Sequence, residues 1–161
     1  MDFGTGGGLP GIPIAIARPD LSLCLVDSIQ KKAKMVSAMI EQLPLLNASV
    51  VASRAEDLHL KEGERFQLVI ARAVAPLVDL LKWSTNLFNR RDRMKVLIHD
   101  SGRVEEATTP MLLAMKGGEL EDELKAATLR YPAITPIVVR FPGVPLASEA
   151  LDDKKVLVIQ R

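Results

Sequence analysis

Along the chain, short runs of apolar and β-branched residues alternate with longer stretches in which apolar positions recur every three or four residues. That alternation predicts an α/β fold, a mostly parallel sheet flanked by helices. After a glycine-rich opening, Pro10 to Ala17 reads as a helix with proline at its start, where the missing N–H costs little. Asp20 to Val26 follows as a buried strand that ends at Asp27. Ser28 is placed to cap a helix running to about Leu43, with Ile29, Ala33, Val36, Met39 and Ile40 on one face and Lys31, Lys32 and Lys34 elsewhere. Pro44 marks its end. Ala48 to Ala52 and Gln67 to Ala71 read as further strands, and Leu77 to Phe88 as an amphipathic helix entered just after Pro76.

Beyond Phe88 the pattern changes. Arg90, Arg91, Arg93 and Lys95 precede a short strand, Val96 to His99, then a turn at Ser101-Gly102 and a polar, helix-like stretch. The region from Asn89 to Pro110 therefore reads as an insertion. Met111 to Met115 is the expected fifth core strand, followed by Lys116-Gly117-Gly118 and a helix from about Leu120 to Leu129 that Tyr131-Pro132 ends. Ile134 to Phe141 and Lys155 to Gln160 are two β runs joined by Pro142 to Pro145. They suit a terminal antiparallel hairpin on an otherwise parallel sheet.

Composition narrows the class. The 161 residues, 48% apolar and 25% charged, make one domain able to bury a core without disulfides or a structural metal. A net charge of +1 gives no global field that would announce nucleic acid or an anionic membrane, so any RNA contact has to be local. The single cysteine, Cys24, sits in the apolar run Leu21 to Val26 and reads as a buried structural thiol. No apolar stretch approaches the roughly 20 residues of a spanning helix, and Met1-Asp2-Phe3 lacks the features of a signal peptide. A cytoplasmic protein is expected.

The candidate chemistry lies at the start of the chain. Gly4 to Gly11 holds five glycines in eight positions directly before a helix, a composition that lets backbone approach a ligand closely. Two readings stand side by side. Gly6-Gly7-Gly8-Leu9-Pro10-Gly11 satisfies G-x-G-x-x-G, with Asp27 about 20 residues on to hold ribose hydroxyls, as in nicotinamide-dependent oxidoreductases. Asp2 followed by Gly4-Thr5-Gly6-Gly7-Gly8 instead fits the glycine motif of S-adenosylmethionine-dependent methyltransferases, whose sheets also tend to end in an antiparallel hairpin. The methyltransferase reading is favoured.

The run from Asp2 through Gly-Leu-Pro-Gly-Ile-Pro at 8–13 to Pro19 resembles the first motif of the RsmG (GidB) family, bacterial methyltransferases that modify guanine N7 in the 530 loop of 16S ribosomal RNA. The likeness continues at Leu25-Val26-Asp27-Ser28, at Ser53-Arg54-Ala55-Glu56-Asp57, at Ala71-Arg72-Ala73-Val74-Ala75-Pro76 and at Leu113-Ala114-Met115-Lys116-Gly117. The resemblance implies a Rossmann-like class I methyltransferase domain over residues 1–161, with S-adenosyl-L-methionine as cofactor and 16S ribosomal RNA or a small-subunit particle as partner. It implies that Gly4 and Leu9 line the methionine side of the cofactor, with Gly6 in the same loop. Asp27 would hold the ribose, Ala55 and Glu56 the adenine edge, and Arg72 the mouth, where Arg72 and Lys116 would meet RNA. Neither membrane nor metal is implied, and a monomer is expected.

Two departures accompany the likeness. Family members typically carry a helical segment and a strand before the glycine loop, so the first strand here is expected to be missing or a stub. Residues 89–110 are also longer than the family's usual turn. An inactive or cofactor-binding-only fold is therefore the alternative to an active enzyme. The chemistry itself asks little of side chains, because guanine N7 has an exposed lone pair and needs no general base. Catalysis then reduces to holding nucleophile, methyl and sulfur in line. His59 and His99 have no metal-ligand spacing and are expected to face solvent. Trp83 is expected in the helix core.

Overall fold

A computed structural model describes residues 1–100, 103–140 and 154–160. In chain order the elements are β1 (Asp2–Phe3), α1 (Gly11–Ala17), β2 (Leu23–Asp27), α2 (Gln30–Gln42), β3 (Ala48–Ala52), β4 (Leu68–Arg72) and α3 (Leu77–Ser84). There follow β5 (Lys95–Asp100), β6 (Arg103–Thr108), β7 (Met111–Gly117), α4 (Glu121–Arg130), β8 (Thr135–Arg140) and β9 (Lys154–Gln160). Seven strands form one sheet in the order β3-β2-β1-β4-β7-β9-β8, and β5 and β6 form a separate antiparallel pair. β9 alone in the large sheet runs antiparallel, to β7 on one side and β8 on the other. The strand order reverses beside β1, the place where ligands bind in open α/β sheets.

β1 is the expected stub. Its two residues lie between β2 and β4, Asp2 opposite Leu25 and Ile70, Phe3 opposite Val26 and Ala71. The Ile70 amide donates to the Met1 carbonyl at 2.8 Å, and Asp2 and Phe3 are almost wholly buried. A short segment holds a central position because both neighbours pair with it.

Register also fixes the layers. Leu25, Ile70, Leu113 and Val158 share one face, Val26, Ala71, Ala114 and Leu157 the other. On the first face Ile12, Ala15 and Val36 of α1 and α2 pack on Leu23 and Leu25, while Ala107, Val96 and Ile98 of the β5–β6 pair cover Met111 and Val158. On the second, Leu77, Leu80 and Leu81 of α3 and Ala127 of α4 pack on Val69, Leu112 and Ile159. Burial on both faces explains why the central strands read as continuous apolar runs rather than alternating ones. α1 approaches the sheet closely because its first residue has no side chain: a Cβ on Gly11 would lie 2.7 Å from both Asp2 Oδ2 and Leu25 Cδ2.

Several expectations need correction. Ser28 does not cap α2. The Ile29 amide is taken by Asp27 Oδ1 at 2.8 Å, and Ile29, expected on the apolar face, is 48% exposed. α3 stops at Ser84 rather than Phe88, because residues 87–89 leave the helix to pair with Phe66, whose amide donates to Leu87 O and whose carbonyl accepts from Asn89 N. That exchange buries Leu87 and Phe88 completely. The polar stretch after residue 102 is the strand β6, not helix. Pairing with β5 satisfies its backbone, Ala107 is buried, and Glu106 meets Lys95 at 3.2 Å. Cys24 is half-buried, and burial pushes its thiol above the ordinary range, in keeping with a structural role. The Ser101-Gly102 turn, Phe141 and the Pro142 to Pro145 connection lie outside the described residues.

Candidate functional site

At the C-terminal ends of β1, β2 and β3 a cleft of about 180 Å³ opens, lined by Phe3, Gly4, Val26, Asp27, Ser28, Ser53, Arg54, Ala55, Glu56, Val74 and Trp83. Each strand delivers one wall. β1 runs directly into the glycine loop, β2 ends on Asp27, and β3 is followed by a turn of 3-10 helix, Ala55–Asp57.

The glycine loop is fastened from below by a carboxylate. Asp2 Oδ2 accepts from the Thr5 hydroxyl at 2.6 Å and from the Gly11 amide at 2.9 Å, joining β1, the loop and α1 at one atom. Its other oxygen is buried with no hydrogen-bond partner among the described residues. Burial lifts the Asp2 carboxyl above its usual range, opposed by those two hydrogen bonds and by nearby positive charge, Arg72 included. At the start of the loop Gly4 has φ +70°, and a Cβ there would lie 2.9 Å from Val74 Cγ2. A side chain at that position would be strained and would push against the opposite wall.

Asp27 crosses beneath the loop. It is 7% exposed, and each of its oxygens accepts one backbone amide: Oδ2 from Gly6 and Oδ1 from Ile29, both at 2.8 Å. A carboxylate has about four acceptor positions, so about two remain for hydroxyl groups of a ligand. Opposite, the Trp83 ring stacks on Phe3 with centroids 6.0 Å apart and planes 9° from parallel. Trp83 is therefore only partly core, since one side of it bounds the cleft.

Of the residues singled out from sequence, Gly4, Asp27, Ala55 and Glu56 meet in this cleft. Gly6 reaches it through its amide on Asp27. Leu9 lies outside the lining and is 46% exposed, its carbonyl accepting from Arg72 Nε at 3.3 Å. That bond places exposed Arg72, the last residue of β4, against the glycine loop but outside the cleft lining. Lys116 lies on β7, away from the lining, with its amine 2.6 Å from Glu123 Oε1 and 2.7 Å from Ala75 O. His59 and His99 are exposed. Among the described residues no group of three or more His, Cys, Asp and Glu could hold a metal ion, and no helix is long and apolar enough to cross a membrane. Sequence reasoning missed Phe3, Val74 and Trp83 as walls. The A-R-A-V-A-P loop was a signal for Val74, but Trp83 reaches the cleft only through the placement of α3.

The glycine loop at the switch point and the antiparallel β9 define the class: an α/β, Rossmann-like methyltransferase fold. Solved structures agree on the fold. The chain superposes with a TM-score of 0.64 on a ribosomal protein L11 methylase from Lactobacillus delbrueckii subsp. bulgaricus, at 14% identity, covering 99% of this chain and 67% of that one. For an rRNA methylase from Streptococcus thermophilus the TM-score is 0.59 at 12% identity, with 99% and 84% covered. Sequence comparison is more specific. Residues 1–110 match the family model GidB, rRNA small subunit methyltransferase G. The chain is 41% identical over 124 residues to Ribosomal RNA small subunit methyltransferase G of Porphyromonas gingivalis, covering 77% of this chain and 49% of that protein. It is 35% identical over 164 residues to the protein of the same name from Chlorobium luteolum, covering 100% and 60%. The chain belongs to the rRNA small subunit methyltransferase G family, and the nicotinamide reading of the glycine loop falls away. It spans 49% and 60% of the length of these two relatives.

Proposed function

We propose that this chain binds S-adenosyl-L-methionine in the cleft and transfers its methyl group to N7 of a guanine in the 530 loop of 16S ribosomal RNA. The observation that carries the reading is the Asp27 carboxylate, fixed by two amides beneath a glycine loop and still holding acceptor capacity toward the cleft. Among the matched structures is a magnesium protoporphyrin IX methyltransferase from Synechocystis with bound SAM, at a TM-score of 0.59 and 13% identity, covering 99% of this chain and 68% of that one.

The donor set suits the cofactor. Asp27 takes the ribose hydroxyls, Ala55 and Glu56 border the adenine, and Gly4, Gly6 and Leu9 line or shape the path to the methionine end. The bound cofactor supplies a methyl group on a positively charged sulfur. The chain's own work is positional, because N7 attacks with its lone pair and no residue has to remove a proton. Phe3, Val26, Val74 and Trp83 give the cleft an apolar side facing the polar one of Asp27, Ser28, Ser53, Arg54 and Glu56. Arg72, exposed and bonded to the glycine loop, is a cation offered to an RNA loop, whereas Lys116, the second expected from sequence, is taken up by Glu123 and Ala75 O. The target base has to be accessible in a loop or splayed from its stack to enter. On this reading the chain is a cytoplasmic enzyme of ribosome maturation working as a monomer, with residues 89–110 an insertion in its single domain.

Calorimetry with S-adenosylmethionine and with NAD, followed by methyl transfer to 16S RNA lacking the modification, tests the proposal. Binding of S-adenosylmethionine alone and incorporation at guanine N7 are expected. Binding without transfer, to RNA and to small subunits alike, would support the cofactor-binding-only alternative.

A further inference from the structure

The loop that joins β4 to α3 carries Arg72 at its start, bonded to Leu9 O, and Val74 on the cleft wall, while its far end is held from outside the cleft lining. Its backbone is unusual. Ala73 has φ +53°, a left-handed conformation that is unfavourable for a non-glycine residue and persists only where the surroundings enforce it. Pro76 precedes α3 without any side-chain cap of its own.

The restraint comes from the neighbouring helix on the same face of the sheet. Glu123, in the first turn of α4, accepts the Leu77 amide on Oε1 at 2.5 Å, which makes it a cap for α3 supplied by a different helix. The same oxygen meets Lys116 Nζ at 2.6 Å, and that amine also donates to Ala75 O at 2.7 Å. The two side chains are 15% and 24% exposed, so the pair is shielded from competing water. Together they grip the loop at Ala75 and Leu77, one residue on either side of Pro76. What this grip positions is Val74, which packs against Gly4, and the start of the helix that carries Trp83.

We infer that Glu123 is a positioning residue for methyl transfer, holding the 73–76 loop against the glycine loop so that Val74, Arg72 and Trp83 present the acceptor base in line. The inference rests on the proposed methyltransferase reading. The Asp27 carboxylate takes its hydrogen bonds from Gly6 and Ile29 and none from this network, so cofactor affinity and turnover should separate. Glu123 also does more than stabilise, because the groups it fixes border the site.

The test compares Glu123→Ala and Glu123→Gln with the unaltered 161-residue chain. For Glu123→Ala the expected results are a kcat at least 30-fold lower, a dissociation constant for S-adenosylmethionine within about 3-fold of the original, and amide exchange at Leu77 at least 10-fold faster. The fluorescence of Trp83, the single tryptophan, should shift with it. Glu123→Gln keeps an acceptor for Leu77 but loses the charge facing Lys116, and should restore exchange protection and recover at least 3-fold in kcat; it serves in place of alanine if the latter fails to fold. Unchanged kcat and unchanged Leu77 exchange in a folded variant overturn the inference. So does a fall in kcat that is matched by an equal fall in folded fraction. If the unaltered chain binds cofactor but methylates no RNA, the functional reading fails alone, and exchange at Leu77 with the Trp83 signal still decides whether Glu123 holds the loop.

Discussion

Replacing Asp27 with alanine should have two separable effects, and their sizes follow from what the carboxylate touches. In the free protein it accepts two backbone amides, Gly6 and Ile29, each at 2.8 Å and at a site only 7% exposed. Hydrogen bonds to a charged group contribute about 1.5–3 kcal/mol each. Neighbouring bonds are not additive and some water will enter, so the expected stability loss is about 2–4 kcal/mol, a large part of the roughly 5–15 kcal/mol of a typical domain. The second effect is on ligand. If the remaining acceptor positions hold two ribose hydroxyls, their loss should weaken S-adenosylmethionine binding about 10- to 100-fold, equivalent to about 1.4–2.8 kcal/mol. Calorimetry well below the unfolding midpoint, with circular dichroism to fix the folded fraction, keeps the two apart. A folded Asp27→Ala whose dissociation constant stays within 2-fold of the original would refute the ribose assignment. One that binds weakly but unfolds at the original temperature would refute the structural half of the argument.

Gly11→Ala inserts a methyl group 2.7 Å from Asp2 Oδ2 and Leu25 Cδ2, so it should cost about 1–3 kcal/mol by overpacking and lower the unfolding midpoint by at least about 2 °C in a thermal melt; an unchanged midpoint would show that α1 stands off without penalty. Asp2 gives a pH effect whose sign is fixed. Its folded carboxyl titrates above the unfolded one, so the folded state holds the proton more tightly, and stability should decline as pH rises from the ordinary carboxylate range to the raised value. Asp2→Asn can keep the acceptor for Thr5 and Gly11 without burying a charge, and should remove that slope in unfolding measured from pH 4 upward. Arg72→Ala loses one bond to Leu9 O from an exposed side chain, so the midpoint should move by less than about 2 °C, while methyl transfer falls at least 10-fold; a collapse of stability with normal activity per folded molecule would make Arg72 structural.

What could be read from the residues and what could not divides along a physical line. β2 and β3 were legible because apolar runs of about five residues bounded by Pro, Asn and Asp have few other outcomes. Asp27 was legible as an acid at a strand end about 20 residues after a glycine loop, whereas Gly4 and Ala55 came through the likeness to the family; all three line the one cleft. The end of α3 was not, since Leu87 and Phe88 continue its helical spacing and leave it only for the pairing with Phe66, a contact from another part of the chain. β6 was hidden for the same reason: glutamates favour helix locally, and only pairing with β5 and burial of Ala107 outweigh that preference. Trp83 was assigned to the core on its helical spacing. It is core on one side and cleft wall on the other, and periodicity cannot tell which half of a ring faces an opening.

β1 shows how tertiary structure can raise the value of very few residues. A missing central strand would leave two edges unpaired and expose core surface, at about 25 cal/mol per Å² of apolar area. Asp2 and Phe3 reduce that cost by pairing on both sides. Phe3 adds its ring to the α3 face through Trp83, and Asp2 ties the strand to the loop and to α1 through one oxygen. The carboxylate is costly to bury, and its second oxygen has no hydrogen-bond partner among the described residues. An amide there could satisfy the same donors without a buried charge, so the acid is not the choice that stability alone would make. The positive charges that act on it are the N-terminal amine and, more weakly, Arg72. If the weaker of these attractions helps keep Arg72 against the loop, Asp2→Asn should stabilise the fold above pH 5 yet lower RNA affinity through Arg72. Adding Asp2→Asn to Arg72→Ala should then lower RNA affinity no further, which a double-mutant cycle on RNA binding would show; full additivity would mean that the buried acid serves the loop alone.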